Sequence, residues 1–167
     1  MRFAWQRVLL GSEIDHQNRP GKGFDVPVTF KVLPEINLVL SWFRGDVSTA
    51  QHIASFQAYA ADPLFDGKQH VLVDMSDCTL ESSYFDDMQR LAYQMKSYYS
   101  VRDLSSKTSA YAPGDVAYGM SRMYQSITEG NSPWAFGVFR TRHEAIAFVD
   151  IQPGSAQEAL LLANWDG

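Results

Sequence analysis

The sequence predicts an α/β domain built on a mixed, mostly parallel sheet of about five strands. Three observations lead there. Short apolar or β-branched runs alternate with stretches of helical periodicity. Four of those stretches open on a serine or threonine able to cap a helix. The 167 residues are 46% hydrophobic and 20% charged, the balance of one ordinary globular domain. A chain of this length buries enough surface to fold without a disulfide or metal.

The elements follow in order. Gly11, Pro20, Gly21, Gly23 and Pro27 mark a linker, so residues 1–27 are expected to form an arm and linker ahead of a domain over residues 28–150. Val28 to Leu33 alternates and is rich in β-branched residues, a strand. Pro34 to Asn37 is a turn, and Leu38 to Phe43 returns as the second strand of an antiparallel hairpin. Ser48-Thr-Ala-Gln51 is a capping box, with Ile53, Phe56 and Ala60 on the helical face behind it. His70 to Asp74 is a short apolar run ending in an acid, expected as a central strand buried on both faces. Ser83 is a second cap signal. It leads into Phe85, Met88, Ala92, Met95 and Tyr99 at helical spacing.

Lys107 to Ala112 is a weaker strand pattern. Pro113-Gly114-Asp115 opens a helix with Val116, Met120, Met123 and Ile127 on one face. Trp134 to Phe139 is a strand. Thr141-Arg-His-Glu144 and Ser155-Ala-Gln-Glu158 cap two more helices, the last a tail helix within residues 151–167. The expected architecture is therefore four helices and a tail helix around the sheet.

Charge and cysteine usage narrow the functional classes. Net charge is -5, which disfavours nucleic acid bound through phosphates. Cys78 stands alone, so no intrachain disulfide forms, which fits a reducing, cytoplasmic setting. No run approaches the length of a membrane span, and Gln6 and Arg7 break the apolar start of the chain.

The segment Val71-Leu-Val-Asp-Met-Ser-Asp-Cys-Thr-Leu-Glu-Ser-Ser83 resembles the strand and loop of the STAS domain, found in anti-sigma-factor antagonists and SpoIIAA-like proteins. Their pattern is an apolar strand, Asp-Leu-Ser, a short apolar stretch, then Asp-Ser-Ser-Gly opening a helix. The resemblance covers roughly Val28 to Val149. Ala117-Tyr-Gly-Met-Ser-Arg-Met-Tyr-Gln125 is similar to bacterial SpoIIAA-like proteins of unassigned function. The resemblance implies a STAS (SpoIIAA-like) fold and a phospho-acceptor serine. Aligned without a gap from Asp74 that serine is Ser83; with a one-residue gap it is Ser82. Tyr84-Phe85 stand where the motif has Ser-Gly.

Several groups are candidate sites. Ser83 is either that acceptor or a plain N-cap, and the surrounding acids oppose a phosphate there. Asp74, Asp77, Asp86 and Asp87 offer hard oxygen ligands to Mg²⁺, or form a solvated rim that docks a basic partner. Cys78 is a nucleophile only if a histidine reaches it, and otherwise a small buried residue. Tyr118, Arg122 and Gln125 form a stripe at helical spacing, suited to a protein partner or a homodimer, or a solvated face with Tyr118 on Arg122. Trp42, Phe43, Trp134 and Phe136 build a core or line a ligand pocket.

No phosphate-binding glycine loop, zinc-ligand pair or nucleophile elbow is present, and no motif calls for a cofactor. The expectation is a non-catalytic protein-interaction or regulatory module. The alternatives are a small-molecule or lipid-binding domain, which requires an apolar cavity, and a metal-dependent enzyme using the acidic rim.

Overall fold

The computed structural model describes residues 26–81 and 85–166. The expected arm therefore lies largely outside the described residues, as do Ser82 and Ser83.

Strands β1 (Val28–Leu33) and β2 (Leu38–Gly45) pair antiparallel, from Val28 opposite Phe43 to Leu33 opposite Leu38. One turn of 3-10 helix, Pro34–Ile36, joins them. Asn37 closes it at φ 52°, a left-handed conformation that asparagine tolerates better than most residues, and its Nδ2 donates to the Lys68 carbonyl. Strands β3 (His70–Cys78), β4 (Lys107–Tyr111) and β5 (Ala135–Phe139) each run parallel to the strand before. The order across the sheet is β1-β2-β3-β4-β5. The mixed sheet expected from the sequence is thus observed.

Among the described residues, five helices accompany the sheet: α1 (Thr49–Ala60), α2 (Phe85–Met95, running on into a 3-10 turn at Lys96–Tyr98), α3 (Asp115–Thr128), α4 (Arg142–Phe148) and α5 (Ala156–Trp165). Their starts follow local chemistry. Ser48 Oγ accepts from the Gln51 amide at 3.3 Å, and Gln51 Oε1 accepts from the Ser48 amide at 2.8 Å, closing the capping box. Thr141 and Ser155 accept from the Glu144 and Glu158 amides at 3.3 and 3.1 Å. The Glu158 carboxylate reaches the Gly154 amide, one residue ahead of the cap.

Strand alternation sorts side chains to the two faces of the sheet. Leu38, Leu40 and Leu72 go to one face, where they pack with Ile146, Val149, Leu161 and Trp165 of the α4–α5 side. Ser109 donates to the Ala145 carbonyl across that layer at 2.8 Å. Leu161 and Trp165 are both buried, so α5 is part of this layer. Phe43, Met75, Ala110 and Val138 face the opposite side, toward α1, α2 and α3.

Three sequence expectations change. β3 does not end at Asp74 but continues to Cys78, because Arg44 and Gly45 of β2 extend far enough to pair with Asp77 and Cys78. Phe85 belongs to the expected apolar face of α2, yet it is 49% exposed. Val116 heads the expected buried face of α3, yet it is 57% exposed. Helix α3 has two neighbours, not one. Ala117 and Ser121 are buried on the sheet side, while Met120, Met123 and Ile127 pack against α2 residues. Val116 falls outside both contacts.

Candidate binding cavity

Helix α2 packs on α1 and α3, and makes no comparable contact with any strand among the described residues. Met88, Leu91 and Met95 of α2 are buried beneath it. The sheet below presents short side chains, Val39, Val71, Val73 and Ala110, at alternate positions of β2, β3 and β4. Short floor residues under a raised helix leave space. A partly enclosed cavity of about 140 Å³ lies there, bordered by Phe30, Phe43, Phe56, Trp134 and Phe136. Four methionines, Met75, Met88, Met95 and Met120, also line it. Unbranched and polarizable, methionine adapts to whatever it packs against. A second, larger depression of about 510 Å³ between α1 and α2 is more open and has six lining residues, including the exposed Tyr93.

The polar groups at the first cavity are mostly neutral hydroxyls of serine, threonine and tyrosine. Ser41 Oγ donates to the Thr29 carbonyl at 3.1 Å, and Ser121 Oγ lies 3.3 Å from Met75 Sδ. His52 stacks edge-on against Phe43, centroids 5.0 Å apart. Burial holds its imidazole down from the usual 6.5 to about 4, so it is neutral at pH 7.

Arg102 is the exception. It is 6% exposed and lies in the loop between α2 and β4. Nη1 donates to Thr108 Oγ1 at 2.7 Å, and Nη2 to the carbonyls of Gln69 and Lys107 at 3.3 and 3.2 Å. The guanidinium sits 4.6 Å over the Trp134 ring. No carboxylate pairs with it among the described residues. Its Nε is the one buried side-chain nitrogen or oxygen there without a hydrogen-bond partner. Burial pushes the guanidinium down to about 10, and it stays charged at neutral pH.

The backbone around Arg102 is held from the β3 side. The Asp103 amide donates to the Gly67 carbonyl at 2.9 Å. A Cβ on Gly67 would stand 2.9 Å from the Val101 carbonyl oxygen, which is backbone and cannot rotate away. Gly67→Ala is therefore expected to cost about 1–3 kcal/mol, the usual range for overpacking. Urea unfolding checks it: an unchanged midpoint would show that the loop shifts freely.

The acids, Cys78 and the Tyr118–Arg122–Gln125 stripe singled out in the sequence sit elsewhere. Asp74 is buried on the α5 side, where Oδ2 accepts from Trp165 Nε1 at 2.7 Å and Oδ1 from the Ser76 amide at 2.9 Å. Asp77 is exposed and pairs with Arg44 at 2.9 Å. Asp86 is exposed, and Asp87 pairs with Arg90 at 3.1 Å. The structure does not gather these four: no three His, Cys, Asp or Glu side chains among the described residues are grouped to hold a metal. Cys78 is buried, and burial pushes its thiol up to about 11, away from a reactive thiolate. Tyr118 stacks under Arg140, at 4.1 Å, and not under Arg122. Arg122 donates to Gln125 Oε1, and Gln125 Nε2 to the Phe136 carbonyl, so the stripe is tied back onto β5. No helix among the described residues is long and apolar enough to cross a membrane.

Compared with known proteins, the chain matches no family model, no curated protein and no solved structure. Phe43, Trp134 and Phe136 do line the cavity, as one of the two uses open to these aromatics in the sequence. Arg102 carried no sequence signal, being one arginine in an aperiodic loop.

Proposed function

We propose that this is a non-catalytic, STAS-like domain that binds a small apolar molecule between its sheet and the α1–α3 layer. The single observation that carries the reading is the partly enclosed cavity of about 140 Å³ with its mostly apolar lining. Ligand sites are concave and mainly apolar, and this one has that character. The STAS part of the reading is supported by the element order β-β-α-β-α-β-α-β-α and by the Val71–Ser83 pattern. A purely protein-interacting module rests on the same resemblance, but the cavity favours the ligand reading. The metal-enzyme reading needs Asp74 and Asp77 beside Asp86 or Asp87, and no three such side chains are grouped among the described residues.

A cavity of this size suits a body of about six carbon atoms, since an apolar cavity of about 150 Å³ takes up benzene. Benzene or xenon is expected to raise the thermal unfolding temperature of the full chain. Occupancy at about a hundred times Kd contributes about 2.7 kcal/mol. Ala110→Leu, which fills the floor beside Val73, is expected to remain folded and to lose the shift. No shift with either probe at saturation in water would overturn the reading.

A further inference from the structure

We infer that the natural ligand is a small monoanion with an apolar body, a carboxylate of short-chain or aromatic type, its anionic oxygen held by the Arg102 guanidinium. The inference rests on the ligand-binding reading above and names the chemistry of that same site.

Burying an unpaired ion is costly, and buried charges are normally paired. Arg102 is nearly enclosed and has neutral acceptors only: one hydroxyl and two backbone carbonyls. These satisfy hydrogen bonds without cancelling the charge. The Trp134 ring offsets part of the cost through its π face. What is missing is an anion.

A guanidinium has five N–H groups, of which the three bonds above use three. Two remain, one on Nε and one on Nη1, and Arg102 lines the cavity. One carboxylate oxygen supplies both the acceptor and the charge.

Among the described residues lining the cavity, Arg102 is the only lysine, arginine, aspartate or glutamate. His52, the other titratable base there, is neutral. One positive charge matches a monoanion and not a phosphate dianion, which recruits several donors. A cationic ligand meets Arg102 with no acid to receive it. The volume accommodates a body of about six carbons.

The experiment compares isosteric pairs on the full chain by calorimetric titration: benzoate against benzyl alcohol, and hexanoate against hexanol, with benzylamine as the cation. The carboxylates are expected to bind on the order of tenfold to a hundredfold more tightly than their alcohols, the range of a charge-assisted hydrogen bond. In a proton–nitrogen correlation spectrum, the Arg102 Nε–H signal is expected to move on addition of benzoate and not of benzyl alcohol. Arg102→Met is expected to remove the preference while the alcohols still bind, and Arg102→Lys to keep part of it.

Equal affinity for acid and alcohol would overturn the anion inference and leave the cavity reading standing. So would carboxylate preference persisting in a folded Arg102→Met protein. Binding by none of the five probes, with benzene and xenon also silent, would sink the cavity reading itself. If neither Arg102 variant folds, the acid–alcohol comparison on the unaltered chain decides alone.

Discussion

Trp165→Ala is expected to destabilise the domain by about 3–5 kcal/mol, the range for removing a buried aromatic side chain. Trp165 is 4% exposed, at the last turn of α5. Its ring stands edge-on to Tyr111 at 5.9 Å and under the Arg142 guanidinium at 4.7 Å. Its indole N–H is the side-chain donor to Asp74 Oδ2. The variant therefore opens a cavity and also leaves a buried carboxylate oxygen unpaired, which adds its own penalty. Total stability of domains this size is about 5–15 kcal/mol, so a large share is at stake. Trp165→Phe separates the two effects, because it keeps most of the ring and drops the donor. It is expected to cost about 1–3 kcal/mol. Denaturant unfolding of both variants measures this, and a loss under 1 kcal/mol for Trp165→Ala would mean α5 is only loosely attached.

That contact also shows what a sequence makes visible. Ser48, Thr141 and Ser155 were legible as helix starts because a cap is decided within three residues. The strands were legible where apolar residues alternate, as from Val28 to Leu33, or follow one another, as from Val71 to Val73. The partner of Asp74 was not, since Trp165 lies 91 positions away and nothing local links them. An acid closing an apolar run looks like a strand end facing water. Here β2 extends alongside, the strand continues, and alternation turns Asp74 toward α5.

The cavity was hidden for a related reason. Met88, Leu91 and Met95 carry a clear helical stripe, and such a stripe says that a face is buried without saying how far away its partner stands. Only the packing of α2 against α1 and α3 shows that the sheet beneath is not filled. Arg102 lies in a loop, where an arginine is ordinarily solvated. Its burial is imposed by Gln69, Lys107, Thr108 and Trp134, which come from three separate stretches of chain.

The same enclosure predicts a pH response. In the folded protein His52 titrates near 4, against 6.5 in an exposed chain. Above about pH 7 both forms are neutral and His52 contributes no pH dependence. Between 6.5 and 4 the unfolded chain binds a proton that the folded protein does not, so stability falls as pH falls. Below 4 both bind it and the slope ends. The full shift corresponds to about 3 kcal/mol, and partial solvent contact of the ring brings the expectation to about 2–3 kcal/mol. His70 acts in the same direction, its imidazole lowered by burial and partly restored by Asp150. Carboxylates add their own acid sensitivity, so the comparison must be with His52→Phe, which keeps an aromatic edge against Phe43. The difference in unfolding free energy between the two proteins is expected to be constant above pH 7 and to shift in favour of the variant between pH 6.5 and 4. A pH-independent difference would show that His52 is solvated in the folded protein.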